Sequence, residues 1–403
     1  MRKILLSAFA CEPDKGSEQG NGWNWAKGLA EKGYVVHCLT RSVNRPSIET
    51  HPPIDNLHFH YVAMPLGTEA LYLMTQASIY LHYMLWQYLA YKKGKSLHRA
   101  MKFELAHHVT WGSLQMGSFL YRLRIPFIFG PAGGGQQAPE NFRRYFLNHW
   151  NSELKREKVS NWMIKYNPAC KKMLKKADVV LVSNQETLAM AKAIGAKNCQ
   201  ISLDMALPES FFPEQFKQKK TVDGHLKLLW VGRFMPRKGL LLVLDVMQQL
   251  KDLPEITLTI VGYGEMEEII SAKIKEYALE DTVKMVGHVL YEQVRLFYDM
   301  HDIFFFTSLR DSGPAQLLEA QAFGMPIITL NLHGQSQVVT DRTGIRCDAS
   351  SPEIAIPELK KAIIHLHHHP QIVSEMSIAA SEFARKQTMS EKISNIVNSY
   401  YPV

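Results

Sequence analysis

The stretch from Ile303 to Leu330, IFFFTSLRDSGPAQLLEAQAFGMPIITL, limits most narrowly what this chain can fold into. Ile303–Thr307 is apolar and aromatic with no helical period, which predicts a buried strand. Asp311, Ser312, Gly313 and Pro314 read as a turn, with Pro314 suited to the first helical position, where its missing N–H costs nothing. Ala315 to Phe323 reads as a helix stopped by Gly324-Met325-Pro326, and Ile327–Leu330 as the next strand. Asp311 thus falls in the turn, and Glu319 on the helix eight residues later. A helix N-terminus offers unbonded N–H groups and partial positive charge, which suit a phosphate. One acid at its mouth and a second about a turn inside suit a sugar joined to a nucleotide diphosphate. An ordinary βα unit capped by an aspartate fits the same residues.

At 403 residues the chain is long for one core, and two domains are expected. With 46% hydrophobic and 21% charged residues it reads as a soluble globular protein. The net charge of +8 admits an anionic substrate, a membrane surface or nucleic acid. No arginine-rich run or zinc pattern favours nucleic acid, so none is expected as a partner. Cys11, Cys38, Cys170, Cys199 and Cys347 are scattered, which suggests reduced thiols in a cytoplasmic protein. The N-terminal ILLSAFAC resembles a short signal, but its apolar run is brief and Phe9 is too large for a cleavage site. A first strand, Lys3 to Ala10, is the better reading.

A loop with Gly16, Ser17, Glu18, Gly20 and Gly22 follows, then a helix near Gly22–Lys32 and a strand at Tyr34–Thr40. This is a βαβ opening without the GxGxxG spacing. Its glycines either let a ligand approach the backbone or make a flexible loop. Ala70 to Tyr91 has no charged residue, five tyrosines and Trp86, and lysines beyond it. It fits a helix packed on its own domain, a face resting on a membrane, or a membrane span. Phe103–Val109 reads as a strand with His107 and His108 near its carboxyl end, where ligands of parallel sheets bind. These histidines either position a hydroxyl or bond to backbone. After a strand at Ile125–Gly130, Gly133-Gly134-Gly135 provides a surface for close approach, or a hinge. Lys155 to Lys176 reads as a solvated helix. The polar, lysine-rich stretch to Gly224 reads as a linker, with the domain boundary near 205. Beyond it, Lys227–Val231 leads into Gly232-Arg233-Phe234-Met235-Pro236-Arg237-Lys238-Gly239. Three cations between a strand and a helix suit a diphosphate clamp, or a basic surface loop. Gly262-Tyr263-Gly264 and Val283–Gly287 repeat the strand–glycine–helix theme.

Taken together, VGRFMPRKG, IVGYGEMEEI, VKMVGHV and SLRDSGPAQLLEAQAFGMPII resemble the retaining, nucleotide-sugar-dependent glycosyltransferases of family 4. The last matches that family's signature of an acid, seven residues and a glutamate. CEPDKGSEQGNGWNW, LAHHVTWGS and FGPAGGG resemble a bacterial branch of it. The resemblance spans nearly the whole chain and implies a GT-B fold: two facing Rossmann-like α/β domains with a cleft between them. Residues 1–204 would be the acceptor-side domain, 205–385 the donor domain, and 386–403 a C-terminal helix crossing back.

Roles follow by position. Arg233 and Lys238 would hold the donor diphosphate, with Gly262 and His288 on the same donor side. Glu319 would bind the ribose hydroxyls and Asp311 the transferred sugar. Amides from Ser312 and Gly313 onward would neutralise the leaving phosphate. His107 or His108 would face the reacting carbon or the acceptor, and Gly16, Ser17, Glu18 and Gly134 would line the acceptor side. The implied reaction moves a hexose-type sugar from a nucleotide diphosphate to a hydroxyl with retention, aided mainly by electrostatics. The acceptor would be a sugar, a lipid-linked molecule or a small molecule, in envelope polysaccharide or glycolipid assembly at the inner face of the membrane. No Asp-x-Asp pair occurs, in keeping with no metal and no cofactor beyond the co-substrate. Two positions depart from the pattern: Gly313-Pro314 stands where the family often has two glycines, and Gln335 follows Gly334 where a second glycine is common. A sugar-nucleotide epimerase of the same fold, or a non-catalytic sugar-binding relative, are the alternatives.

Overall fold

The computed structural model describes residues 2–15, 17–65, 67–221 and 224–401. Gly16 lies outside the described residues. The chain divides into two compact units, Met1–Gly135 with Lys158–Met205 and Met389–Val403, and Gln136–Glu157 with Ala206–Thr388.

The first unit carries seven parallel strands: β1 (Lys3–Ser7), β2 (Val35–Arg41), β3 (Leu57–Val62), β4 (Leu105–His108), β5 (Phe127–Ala132), β6 (Val179–Val182) and β7 (Cys199–Ile201). Their order in the sheet is β3-β2-β1-β4-β5-β6-β7. The second carries six: β8 (Leu226–Val231), β9 (Ile256–Val261), β10 (Val283–Gly287), β11 (Ile303–Phe306), β12 (Ile327–Leu330) and β13 (Gly344–Cys347), in the order β10-β9-β8-β11-β12-β13. Both orders reverse direction beside the first strand, the doubly wound Rossmann pattern. Central strands such as IFFF and IITL are buried along their whole length, as parallel strands covered by helices on both faces must be. The reversal leaves a crevice at the carboxyl ends of β1 and β4 in one unit, and of β8 and β11 in the other.

Several expectations are corrected. Residues 136–157, assigned from sequence to the first domain, belong to the second unit, because Phe142, Tyr145 and Phe146 are buried in its core beside Trp230. The stretch read as a linker packs onto the second unit: the buried Lys219 Nζ donates to the carbonyls of Tyr298 and Asp299, both at 2.7 Å. Residues 386–388 stay with the second unit, and only Met389–Val403 joins the first. The first helix runs Ser17–Glu31, so Gly20 and Gly22 are helical and not in a loop. They are small because a Cβ at either would lie about 2 Å from the carbonyl of Lys15 or Ala10. Lys155–Lys176 is not one helix. Trp150–Tyr166 ends, and Asn167 caps Pro168–Lys176 by accepting the Ala169 N–H. Pro314 is extended (φ −72°, ψ 113°) and precedes the helix Ala315–Ala322 instead of opening it.

The uncharged stretch becomes helices Leu71–Met74 and Gln76–Met101. Tyr83, Trp86 and Ala90 pack into the core of their own unit, and His82 and Gln87 are buried with them. Among the described residues no helix is long and apolar enough to cross a membrane.

Candidate functional site

In the second unit the loops after β8 and β11 meet at the crevice. Lys238 is the last residue of a short turn, Pro236–Lys238, and Gly239 follows it with φ +69°. A Cβ there would lie 2.1 Å from the Thr307 carbonyl, so glycine lets the two loops close on each other. Lys238 Nζ then lies 2.5 Å from Asp311 Oδ2. Arg237 approaches the same oxygen at 3.4 Å and Ser308 Oγ at 3.3 Å. All three bonds fall on Oδ2, leaving Oδ1 as the oxygen that can accept a hydroxyl. Burial pushes the Asp311 carboxyl up, but Lys238 and Arg237 outweigh it and hold it below its ordinary value. Burial pulls the Lys238 ammonium down, and Asp311 only partly opposes this. The result is a buried ion pair at the mouth of a helix, with Ala315 and Gln316 amides ahead of the first intrahelical bond, Leu317 N–H to Pro314 O.

Glu319 lies inside that helix, 7% exposed. Its Oε1 accepts from Tyr291 at 2.9 Å and its Oε2 from Tyr298 at 2.8 Å. Burial raises its pKa, and the two phenols counteract this in part. Tyr298 is fully buried, whereas Tyr291 is 55% exposed and is the partner that can move.

Gln335, the departure beside Gly334, is fully buried and braces the loops after β11 and β12 against β12 itself. Its amide donates to Ser308 O at 2.8 Å and Leu332 O at 3.3 Å, and its Oε1 accepts from Thr329 at 2.9 Å. Gln335→Ala strands these buried groups and is expected to cost about 2–3 kcal/mol in chemical denaturation.

The structure brings Lys238, Asp311, Ser312, Gly313 and Glu319 to this crevice. Arg233, expected as the second diphosphate cation, is exposed, and its side chain makes no hydrogen bond or ion pair to the described residues. Arg237 takes the position at Asp311 instead, which the repeated cations of the loop hinted at. Gly262 (φ +144°) packs on the Gly232 carbonyl, and His288 is exposed with its ring against Tyr263. The tyrosines on Glu319 and the Arg310–Glu153 pair (2.7 and 3.0 Å) were not read from sequence. Their separations in the chain leave no local signal.

In the first unit the two histidines point to opposite faces of β4. His107 has both ring nitrogens engaged, Nε2 with the Gly130 carbonyl at 2.8 Å and Nδ1 with the Tyr401 hydroxyl at 2.7 Å. Burial lowers its pKa to about 3, so it is a neutral pin for the end of the chain and not a free group facing a reacting carbon. His108 is buried, bonded to Tyr83 at 3.1 Å, and held to about 4, again by burial. Glu18 accepts the Trp111 N–H at 3.2 Å. Ser17 opens its helix, and Gly134 (φ +136°) accepts from Gln115 at 2.7 Å.

Comparison with known proteins agrees with this geometry. Residues 211–386 match the family model described as Glycosyl transferases group 1. An uncharacterized glycosyltransferase of Haemophilus influenzae is 30% identical over 178 residues, 43% of this chain and 48% of that protein. The amylovoran biosynthesis glycosyltransferase AmsK of Erwinia amylovora is 31% identical over 136 residues, 32% of this chain and 33% of its own. Each match therefore spans less than two thirds of the relative. The solved structure of Anabaena Alr3699/HepE in complex with UDP superposes with a TM-score of 0.65 at 14% identity, over 99% of both chains. That likeness shows the fold, two parallel-sheet α/β units of the GT-B kind. The segment that holds Lys238, Asp311 and Glu319 thus lies within the residues, 211–386, that match the group 1 glycosyltransferase model.

Proposed function

We propose that the chain is a retaining, metal-independent glycosyltransferase that takes a hexose-type sugar from a nucleotide diphosphate. The observation that carries this reading is the buried Lys238–Asp311 pair at the mouth of the helix that holds Glu319. Lys238 and Arg237 supply positive charge where a leaving diphosphate would gather negative charge. The first amides of helix Ala315–Ala322 add to it. Oδ1 of Asp311 would accept a hydroxyl of the sugar. Glu319 keeps lone pairs beyond those its tyrosines use, and a ribose diol is a natural pair of donors for them. HepE was solved with UDP, which makes uridine donors the first to try.

The acceptor would be a saccharide hydroxyl in polysaccharide or glycolipid assembly, in keeping with the amylovoran relative. Working at the inner face of a membrane is part of the same reading. It is supported by the +8 charge and by the exposed Leu81 and Tyr88 on helix Gln76–Met101.

The test is a panel of nucleotide sugars with saccharide acceptors, read by release of nucleotide diphosphate and by NMR of the product. The expected result is an unchanged anomeric configuration, turnover that survives EDTA, and a loss of about a thousandfold in Asp311→Ala. Inversion, or loss of activity in EDTA, would overturn the mechanism. Recovery of an altered sugar without any acceptor would point to an epimerase.

A further inference from the structure

Four lysine and arginine side chains in the described residues are buried, and three have acceptors on the protein. Lys219 meets two carbonyls, Lys238 meets Asp311, and Lys392 meets the Leu203 carbonyl. Arg41 is the exception. It is 8% exposed, its Nε is buried with no partner, and no acid or acceptor among the described residues bonds to it. Its guanidinium lies between two rings instead, 4.5 Å from the centre of Phe9 and 4.6 Å from that of Tyr72. Aromatic faces hold a cation in place without neutralising it. A buried charge is otherwise paired.

Arg41 also closes β2, in the register that sets it beside Phe9 beyond the end of β1. This is the carboxyl edge of the sheet, where doubly wound units take their ligands. Trp111 stands at the same edge in a left-handed conformation (φ +55°), its ring 4.7 Å from Phe9 and 5.8 Å from Tyr72. Trp111 and Tyr72 are only half-buried, so they offer flat apolar surface beside the cation. Glu69 bonds His82 through Oε2, its Oε1 is buried without a partner, and neither oxygen bonds Arg41.

We infer that Arg41, Tyr72 and Trp111 form a subsite for an anionic saccharide, with a phosphate or carboxylate group bound by the guanidinium and a sugar ring against the aromatic faces. This rests on the glycosyltransferase reading, of which it names the acceptor class. Guanidinium offers parallel donors that match either anion.

The experiment is calorimetric titration of the full chain with glucose 1-phosphate, glucuronate and methyl α-glucoside. Excess UDP is present so that the cations of the second unit are occupied. One or both anionic sugars should bind at least about tenfold more tightly than the neutral one. The tighter of the two identifies the group. Arg41→Met should abolish the preference while leaving UDP binding unchanged. Equal binding of charged and neutral sugars, or a preference that survives in Arg41→Met, would overturn the inference. If Arg41→Met does not fold, Arg41→Lys keeps the charge without the planar fork and should reduce the preference by about threefold or more; an unchanged preference there also overturns it. UDP binding with no anion preference defeats this subsite alone. An Arg41-dependent preference without any UDP binding supports the subsite and defeats the transferase reading.

Discussion

Lys238→Met should destabilise the protein by about 3 kcal/mol, because it leaves Asp311 as a buried carboxylate without its main partner. The pair is enclosed, with side-chain exposures of 7% for Lys238 and 15% for Asp311. Arg237 at 3.4 Å is too distant to replace a contact of 2.5 Å in full. The double variant Lys238→Met, Asp311→Asn should recover most of the loss, since it removes both charges together. The pH dependence has a definite sign. The folded-state pKa of Asp311 is depressed, so its contribution is present above the unfolded value, about 3.9, and disappears as pH falls through the folded value. The gap in melting temperature between the native chain and Asp311→Asn should therefore be full at neutral pH and close in acid. A gap that stays constant with pH would show that Asp311 is not ionised in the folded protein.

Tyr298→Phe should cost about 2 kcal/mol, because it takes from Glu319 a phenol donor that is wholly buried. Tyr291→Phe should cost clearly less, because Tyr291 itself is half-exposed and water can take the place of its hydroxyl. Glu319 titrates in the opposite sense to Asp311. Its folded pKa is raised, so stability falls as pH rises from its unfolded value, about 4.3, through the folded one. Removing Tyr298 withdraws a bond that favours the ionised form, and should raise the pKa of Glu319 further. Two-dimensional NMR of the glutamate carboxyl in each variant would read this directly. Equal losses from the two tyrosines would contradict the division of roles between them.

Much of the fold was readable along the chain because parallel strands are apolar runs with glycine or proline at their ends. The strands β10 and β12 coincide with the readings Val283–Gly287 and Ile327–Leu330. β3, β7 and β13 were not read. They are edge strands, and sequences such as LHFHYV and GIRC mix polar residues into short runs. The assignment of 136–157 failed for another reason. Chain order does not reveal that Phe142 and Phe146 fill a core built mainly of residues after 226. In the site, the acid and the glutamate of the signature were legible because they share one turn and one helix. Their partners were not. Lys238 reaches Asp311 across 73 positions and Tyr298 reaches Glu319 across 21, so those pairings exist only once the sheet has formed. Gln335, which looked like a defect in the family pattern, is the brace between the loops after β11 and β12.

The most direct test of the central claim is the thermal shift of the pure protein with a panel of nucleoside diphosphates and nucleotide sugars, repeated in Glu319→Ala. A ligand bound only by the folded state adds about 2.7 kcal/mol at a hundredfold excess over its Kd. The predicted result is stabilisation by nucleotides of one base, absent in Glu319→Ala while that variant remains folded. No stabilisation of the well-folded native chain by any nucleotide, or the same shift in Glu319→Ala, would contradict a donor site at Lys238, Asp311 and Glu319.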